Sequence, residues 1–190
     1  MNKEKQISIL KTAIKRFTKH GLNKTTLDEV ARDMRLGKAT LYHYFESKEA
    51  LFLASVEYEC SIFLEEIKLL FDAEGKDLSY KLLNYYKLKR DFFSRHKLLY
   101  DILLLFFTET ISDNEKQIIN NLLTEETKLV KELLKDIFNT KNENIVFELP
   151  IYFVKNTWGE IFSPKLNELL TSNEDAYFDI LQREIAIITS

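Results

Sequence analysis

The apolar positions of this chain recur at three- and four-residue steps almost from end to end, the period of a helix with one buried stripe. Ile7, Leu10, Ile14 and Phe17 mark a first helix, which Gly21 ends. Leu27, Val30, Ala31 and Met34 mark a short second one. Thr25 or Thr26 can cap it, and Asp28 and Glu29 fall in its first turn, where the helix dipole favours carboxylates. Arg35-Leu36-Gly37 then breaks the period. A third helix starts near Lys38, with Leu41 and Phe45 four apart and able to pack back on Val30 and the small Ala31.

Beyond Ser47, a capping residue, a long helix is expected from Lys48 to about Phe71. Its expected inner stripe is Leu51, Phe52, Ser55, Tyr58, Ile62, Phe63, Ile67 and Leu70. A fifth helix spans about Leu78 to Ser94. The run 98–107, apolar on every face except Asp101, predicts a buried central helix and is too short to cross a bilayer. Ser112 and Glu115 form a capping box that opens a long helix with a seam of Ile118, Ile119, Leu122, Leu129, Leu133 and Ile137. Two more helices are expected, about Phe147 to Leu170 and Glu174 to Ile188. Pro150 is tolerable in the first turn of the former, and Pro164 breaks or kinks it. The fold class is therefore all-α, with about nine helices. An N-terminal three-helix unit spans residues 1–47, and a helical bundle spans 48–190.

Two short helices joined by a three- or four-residue turn have the geometry of a helix-turn-helix. The outward face of the second carries Lys38, Ala39, Thr40, Tyr42, His43 and Tyr44, short or hydrogen-bonding side chains of the kind a major groove admits. Taken alone, the same spacing is common in all-α proteins, and Tyr42 and Tyr44 equally suit ordinary packing.

The residues themselves narrow this. The run Phe17 to Gly21, Thr25-Thr26, Val30-Ala31 and the tract Thr40-Leu41-Tyr42-His43-Tyr44-Phe45 followed by Ser47-Lys48-Glu49 and Leu51 resemble the N-terminal DNA-binding domain of TetR-family (TetR/AcrR-type) transcriptional regulators. The resemblance covers roughly residues 7 to 53. It implies that Thr26 contacts a phosphate and that Lys38, Ala39, Thr40 and His43 face bases or nearby phosphates. It also implies that Tyr42 and Tyr44 clamp the backbone and that Lys48 meets a phosphate at the start of the next helix. Arg35 stands where the family usually has glycine. A left-handed conformation there costs about 1 kcal/mol, and Arg35 is expected to add a phosphate contact. Gly37 stands where a capping Ser or Thr is usual, and Ala39 where Gly is common.

Charge follows the same division. Residues 1–50 carry 11 Lys or Arg and 6 Asp or Glu, a balance of +5, whereas the whole chain is −3 and residues 51–190 therefore −8. A basic head on an acidic body attracts phosphate locally without general adhesion. Lys11, Lys15 and Lys19 repeat on the polar face of the first helix, a solvated face from which one or two can reach a phosphate backbone. The single Cys60 excludes an intrachain disulfide. With no signal-peptide core at the start, it leads to the expectation of a bacterial cytoplasmic protein without a membrane partner.

The helical body suggests two further properties. Phe63, Tyr86, Phe93, Tyr100 and Phe107 are dense enough to line a pocket for a small apolar or aromatic effector, with Arg90, His96, Asp101 and Asn156 as polar anchors. Such aromatics also make plain core. Ile151, Val154, Trp158, Ile161 and Phe162, with Phe178, Leu181, Ile185 and Ile188, exceed what a small bundle needs. The resemblance implies a homodimer built on these two helices. Two reading heads on a palindromic operator, released when ligand changes their separation, complete the expected function of a repressor. The other reading is a helical small-molecule, lipid-binding or protein-interaction module without operator binding. No cofactor or metal is expected. The three histidines show no ligand pattern, and no H-E-x-x-H, G-x-S-x-G or Gly-rich phosphate loop occurs, so an enzyme is not expected.

Overall fold

A computed structural model describes residues 2–135, 143–163, 179 and 183. The described residues form nine helices and no strand: α1 Lys3–His20, α2 Leu27–Asp33, α3 Lys38–Tyr44, α4 Lys48–Phe71, α5 Leu78–Arg90, α6 Phe92–Arg95, α7 Lys97–Thr108, α8 Asp113–Leu133 and α9 Glu143–Ile161. The chain divides into two compact units, Met1–Ile62 with His96–Ile118, and Phe63–Arg95 with Ile119–Ser190. The division passes through α4 and α8.

In the first unit, α1 presents Ile9, Leu10, Ala13 and Phe17 inward, one step rotated from the expected stripe, and Gly21 closes it at φ 76°. Its core also takes Leu27, Val30, Ala31, Leu41, Phe45, Leu51 and Phe52, with the Phe17 and Phe52 rings edge to face at 5.2 Å. The α7 run is apolar on every face except Asp101, yet it buries only the face Leu98, Leu99, Ile102 and Leu103. Phe107 is 38% exposed, so α7 is not the fully enclosed helix its composition suggests. Its N-terminus is capped from another helix: the Leu99 amide donates to Glu59 Oε2 at 2.7 Å.

In the second unit, α5 packs against α9. The expected helix 78–94 divides at Asp91 into α5 and α6, which leaves Phe92 fully buried and Phe93 half-exposed. Two stripes differ from the sequence pattern. On α4 the buried row is Leu51, Phe52, Ser55, Val56, Glu59, Cys60, Phe63, Ile67 and Phe71, whereas Tyr58, Ile62 and Leu70 are half-buried. On α8 the buried row runs Ile118, Ile119, Leu122, Leu123, Glu126, Val130 and Leu134, while Leu129 and Leu133 are only half-buried. A carboxylate thus occupies the centre of the second seam. Helix α9 begins four residues earlier than expected, which puts Pro150 inside it rather than in its first turn. Ile137, the break proposed at Pro164 and all of the expected last helix except Asp179 and Arg183 fall outside the described residues.

Candidate nucleic-acid interface

The two short helices are held together by local chemistry at each end. Thr26 caps α2 in a reciprocal capping box: its hydroxyl accepts the Glu29 amide at 3.3 Å, and Glu29 Oε2 accepts the Thr26 amide at 2.9 Å. Thr25 turns inward, is fully buried and donates to the Gly21 carbonyl at 2.9 Å. The Thr26 amide and then its hydroxyl, both donating to Oε2, hold the Glu29 carboxyl below its usual range. Arg16 of α1 pairs with Asp33 and, at 3.4 Å, with Glu29, tying α1 to α2. The hydrogen bond from Arg16 lowers the Asp33 carboxyl and raises the guanidinium in return.

The turn is resolved by a Schellman motif. Arg35 adopts φ 54°, its amide donates to Arg32 O at 3.0 Å, and the Leu36 amide reaches back to Ala31 O at 2.8 Å. The left-handed residue expected at Arg35 is therefore present without glycine. Gly37 starts α3 in an extended conformation and supplies no side-chain cap.

This packing buries Leu41 and Phe45 and turns the other side of α3 outward. Thr26, Arg35, Lys38, Ala39, Thr40, Tyr42 and His43 are all exposed, and Tyr44 and Lys48 are half-buried beside them. Lys38 Nζ bonds Asp28 Oδ2 at 2.8 Å and lies 5.6 Å from the centre of the Tyr42 ring. Asp28 raises the Lys38 ammonium above its usual range. Lys48 lies 3.9 Å from Glu49. The nine residues named from sequence all lie in the first unit, around two helices that hold a basic, aromatic surface open to solvent. Such a surface can meet phosphates and base edges together.

The expected effector residues are less coherent. Phe63 is fully buried against Phe92 at 4.7 Å and Trp158 at 5.6 Å between ring centres. Tyr86 meets Phe153 edge-on, Arg90 pairs with Asp91 at 2.8 Å, Phe93 is half-exposed and Asn156 is exposed. These five belong to the second unit. His96 (buried), Tyr100, Asp101 (paired with Lys97) and Phe107 belong to the first.

Sequence reasoning missed two features of the second unit. One is a dry polar cluster. Lys89 and Glu126 are fully buried and 2.7 Å apart. Tyr85 donates to Glu126 Oε1 at 2.5 Å, the Trp158 indole N–H donates to Oε2 at 2.8 Å, and Lys89 donates to Thr157 at 2.6 Å. The ammonium also lies 4.3 Å from the Trp158 ring centre and 4.8 Å from that of Tyr85. Burial and Glu126 push the Tyr85 phenol well above its usual range. The signal was Glu126, four residues from Leu122 and from Val130 on one seam. The other feature is an open groove of about 510 Å³ between α8 and α9. Leu123, Ile151 and Val154 line it with Lys128, Lys131 and Lys155. Of the expected dimer residues, Val154 and Trp158 are buried within this unit, Ile151 is 37% exposed, and Ile161 and Phe162 are half-buried. Phe178, Leu181, Ile185 and Ile188 lie outside the described residues.

Among the described residues no helix is long and apolar enough to cross a membrane, and no cluster of His, Cys, Asp or Glu could hold a metal ion. An exposed recognition helix set by a turn on a three-helix core defines a helix-turn-helix protein. Residues 9–55 match the model for bacterial regulatory proteins of the tetR family. The HTH-type transcriptional regulator YerO of Bacillus subtilis is 32% identical over 152 residues, which is 78% of this chain and 52% of YerO. The biofilm operon icaADBC HTH-type negative transcriptional regulator IcaR of Staphylococcus aureus is 36% identical over 62 residues, 33% of each chain. The chain thus spans about half the length of YerO and a third of IcaR. The fold is similar to that of FadR from Bacillus subtilis, a structure in complex with stearoyl-CoA, at a TM-score of 0.65, 15% identity and 97% coverage of each chain. Residues 9–55 thus carry the N-terminal domain of the tetR family of bacterial regulatory proteins.

Proposed function

We propose that this protein is a transcriptional regulator, a repressor that binds a palindromic operator as a homodimer in the bacterial cytoplasm and leaves it when a small ligand binds the helical body. The observation that carries the reading is the exposed face of α3, where Lys38, Thr40, Tyr42 and His43 stand clear of a core that buries Leu41 and Phe45. Tyr42, Tyr44 and Lys48 hold the phosphate backbone, Thr26 and Arg35 flank it, and Lys38, Ala39, Thr40 and His43 meet base edges. IcaR, named a negative regulator, supports the sign of control.

Residues 1–47 act as the reading head and 48–190 as the effector and dimer domain. One short helix reads too few base pairs to select a site, and two heads half a palindrome apart supply the rest. Ile151, Ile161 and Phe162, with the apolar residues of the last third, serve the dimer. The aromatics Phe63, Tyr86 and Phe93 favour an apolar effector, and the groove lined by Lys128, Lys131 and Lys155 around an apolar floor favours one with an anionic head. The stearoyl-CoA bound to FadR is of that kind. Binding releases DNA only if the ligand prefers the DNA-incompetent state.

The test is binding of duplexes enriched from a random library, followed across a salt series, with and without stearoyl-CoA. Tyr42→Ala and Lys48→Ala are expected to weaken all sequences alike, and Lys48→Ala to flatten the salt slope by about 0.9 per head. Thr40→Ala is expected to shift the preferred sequence instead. A wild-type chain that enriches no sequence and binds without salt dependence is a binding module rather than a regulator.

A further inference from the structure

The three carboxylates of α2 are not used alike. Glu29 and Asp33 face Arg16 of α1, and Glu29 also completes the Thr26 cap. Asp28 instead turns to α3 and takes the ammonium of Lys38, the first residue of the recognition helix, at 2.8 Å. Both side chains are open to solvent, Lys38 at 63% and Asp28 at 45% exposure, so the pair lies on the reading surface and not beneath it. The other carboxylate oxygen, Oδ1, is out of contact with solvent and has no hydrogen-bond partner. Lys38 donates to this carboxylate through Oδ2.

A lysine is a flexible point charge that neutralises any phosphate within its reach. Left alone at the start of a recognition helix, it strengthens binding to every sequence. Paired with Asp28, it is already neutralised and releases no counterion from a phosphate. Its three donors let it keep Asp28 and still donate to neutral acceptors, such as the O6 and N7 of guanine in the major groove, which do not require a free positive charge. We infer that Asp28 is a specificity-determining residue of the reading head, which holds the Lys38 charge back from phosphates and so weakens binding to unselected DNA more than to the operator. This is discrimination by disfavouring the wrong partner. The inference rests on the DNA-binding reading above and adds to it a residue that touches no DNA.

The experiment compares the full chain with Asp28→Asn, Lys38→Gln and the double variant on a random-sequence duplex and on the sequence the wild type enriches from a random library. Asp28→Asn is expected to bind the random duplex several-fold tighter, with a salt slope steeper by about 0.9 per head, the signature of one added phosphate contact. The ratio of enriched to random affinity falls with it. In the Lys38→Gln background the same change leaves the slope where it was. A single variant with an unaltered slope, or a slope change that survives without Lys38, overturns the inference. Weaker binding to both duplexes assigns Asp28 a structural part and overturns it as well. A wild type that binds neither duplex in a salt-dependent way overturns the DNA-binding reading itself, a result distinct from the others.

Discussion

Each unit of this protein contains a short lysine–carboxylate pair that joins two helices, α2 to α3 in the first and α5 to α8 in the second, and the two pairs are nearly equal in length. Lys38 and Asp28 are 2.8 Å apart in the first unit, and Lys89 and Glu126 are 2.7 Å apart in the second. Distance therefore says little about what either does. The first pair is exposed and screened by salt, with the Tyr42 ring beside the ammonium. The second is dry, and every group around it is committed: Tyr85 and Trp158 donate to the carboxylate, and Thr157 accepts from the ammonium. An exposed pair is worth at most about 1 kcal/mol and can be exchanged for another partner. A buried pair gains little overall against its desolvation, yet neither member can be lost alone. The contrast separates a surface free to trade its contacts from an interior that cannot.

Breaking the buried pair is the strongest test of that contrast. Lys89→Met leaves the Glu126 carboxylate in an apolar seam with two neutral donors and no cation. The expected loss of stability is about 3–5 kcal/mol in denaturant unfolding. Lys89→Met with Glu126→Gln removes both charges, keeps a polar partner for Tyr85 and Trp158, and is expected to recover most of it. Lys38→Ala, by contrast, is expected to change stability by less than about 0.5 kcal/mol. If the Lys89 variant unfolds at the same denaturant concentration as the Lys38 variant, burial is not what distinguishes the pairs.

Glu59 complicates the division, because it is an interior carboxylate in the first unit with no cation paired to it in the described contacts. Burial pushes its carboxyl up from 4.5 to about 7, the Leu99 amide pulls it down, and Asp101 adds to the rise. The folded state therefore binds this proton more tightly than the unfolded chain. Its contribution is full below about pH 4.5 and is lost as pH rises to about 7. At about 1.4 kcal/mol per tenfold change in proton affinity, the loss is on the order of 3 kcal/mol. Glu59→Gln keeps an oxygen for the Leu99 amide and is expected to flatten this fall in melting temperature between pH 5 and 8. An unchanged profile would assign the pH dependence elsewhere. Burial likewise holds the neighbouring Cys60 thiol protonated.

The exposed half of the protein was more legible than the buried half. The reading face followed from residue types and one helical period, because side chains that stay in solvent answer only to their own helix. Thr26 and Ser112 both cap as their sequence context implied. The interior was misjudged where polar residues lie in apolar stripes. Glu59 and Glu126 occupy positions that a search for apolar residues passes over, because their partners, Leu99 and Lys89, come from distant helices. The same bias placed Leu129 and Leu133 inward, since a leucine on a half-exposed face looks like core until Val130 and Leu134 are seen to take that place. The start of α9 at Glu143 is hidden in the sequence because Pro150 suits the first turn of a helix that starts near Phe147.

Arg35 gives the smallest expected effect and the one that bears most directly on the reading head. Its φ of 54° is a conformation that glycine adopts without strain, and the Schellman bonds to Arg32 and Ala31 require it. Arg35→Gly removes about 1 kcal/mol of backbone strain, part of which is offset by the greater freedom of glycine in the unfolded chain. Arg35→Asn tolerates the same conformation with less of that offset. A rise of a few degrees in melting temperature is therefore expected for both. The guanidinium has no ion-pair partner among the described residues, unlike Lys38, Lys48 and Arg16 nearby. If it serves as a phosphate contact, both variants lose about 0.9 from the salt slope of DNA binding while gaining stability. A gain in stability with no change in slope would mean that the strained turn is kept for a reason other than DNA, and no gain at all would mean that the left-handed residue costs less here than its backbone angle implies.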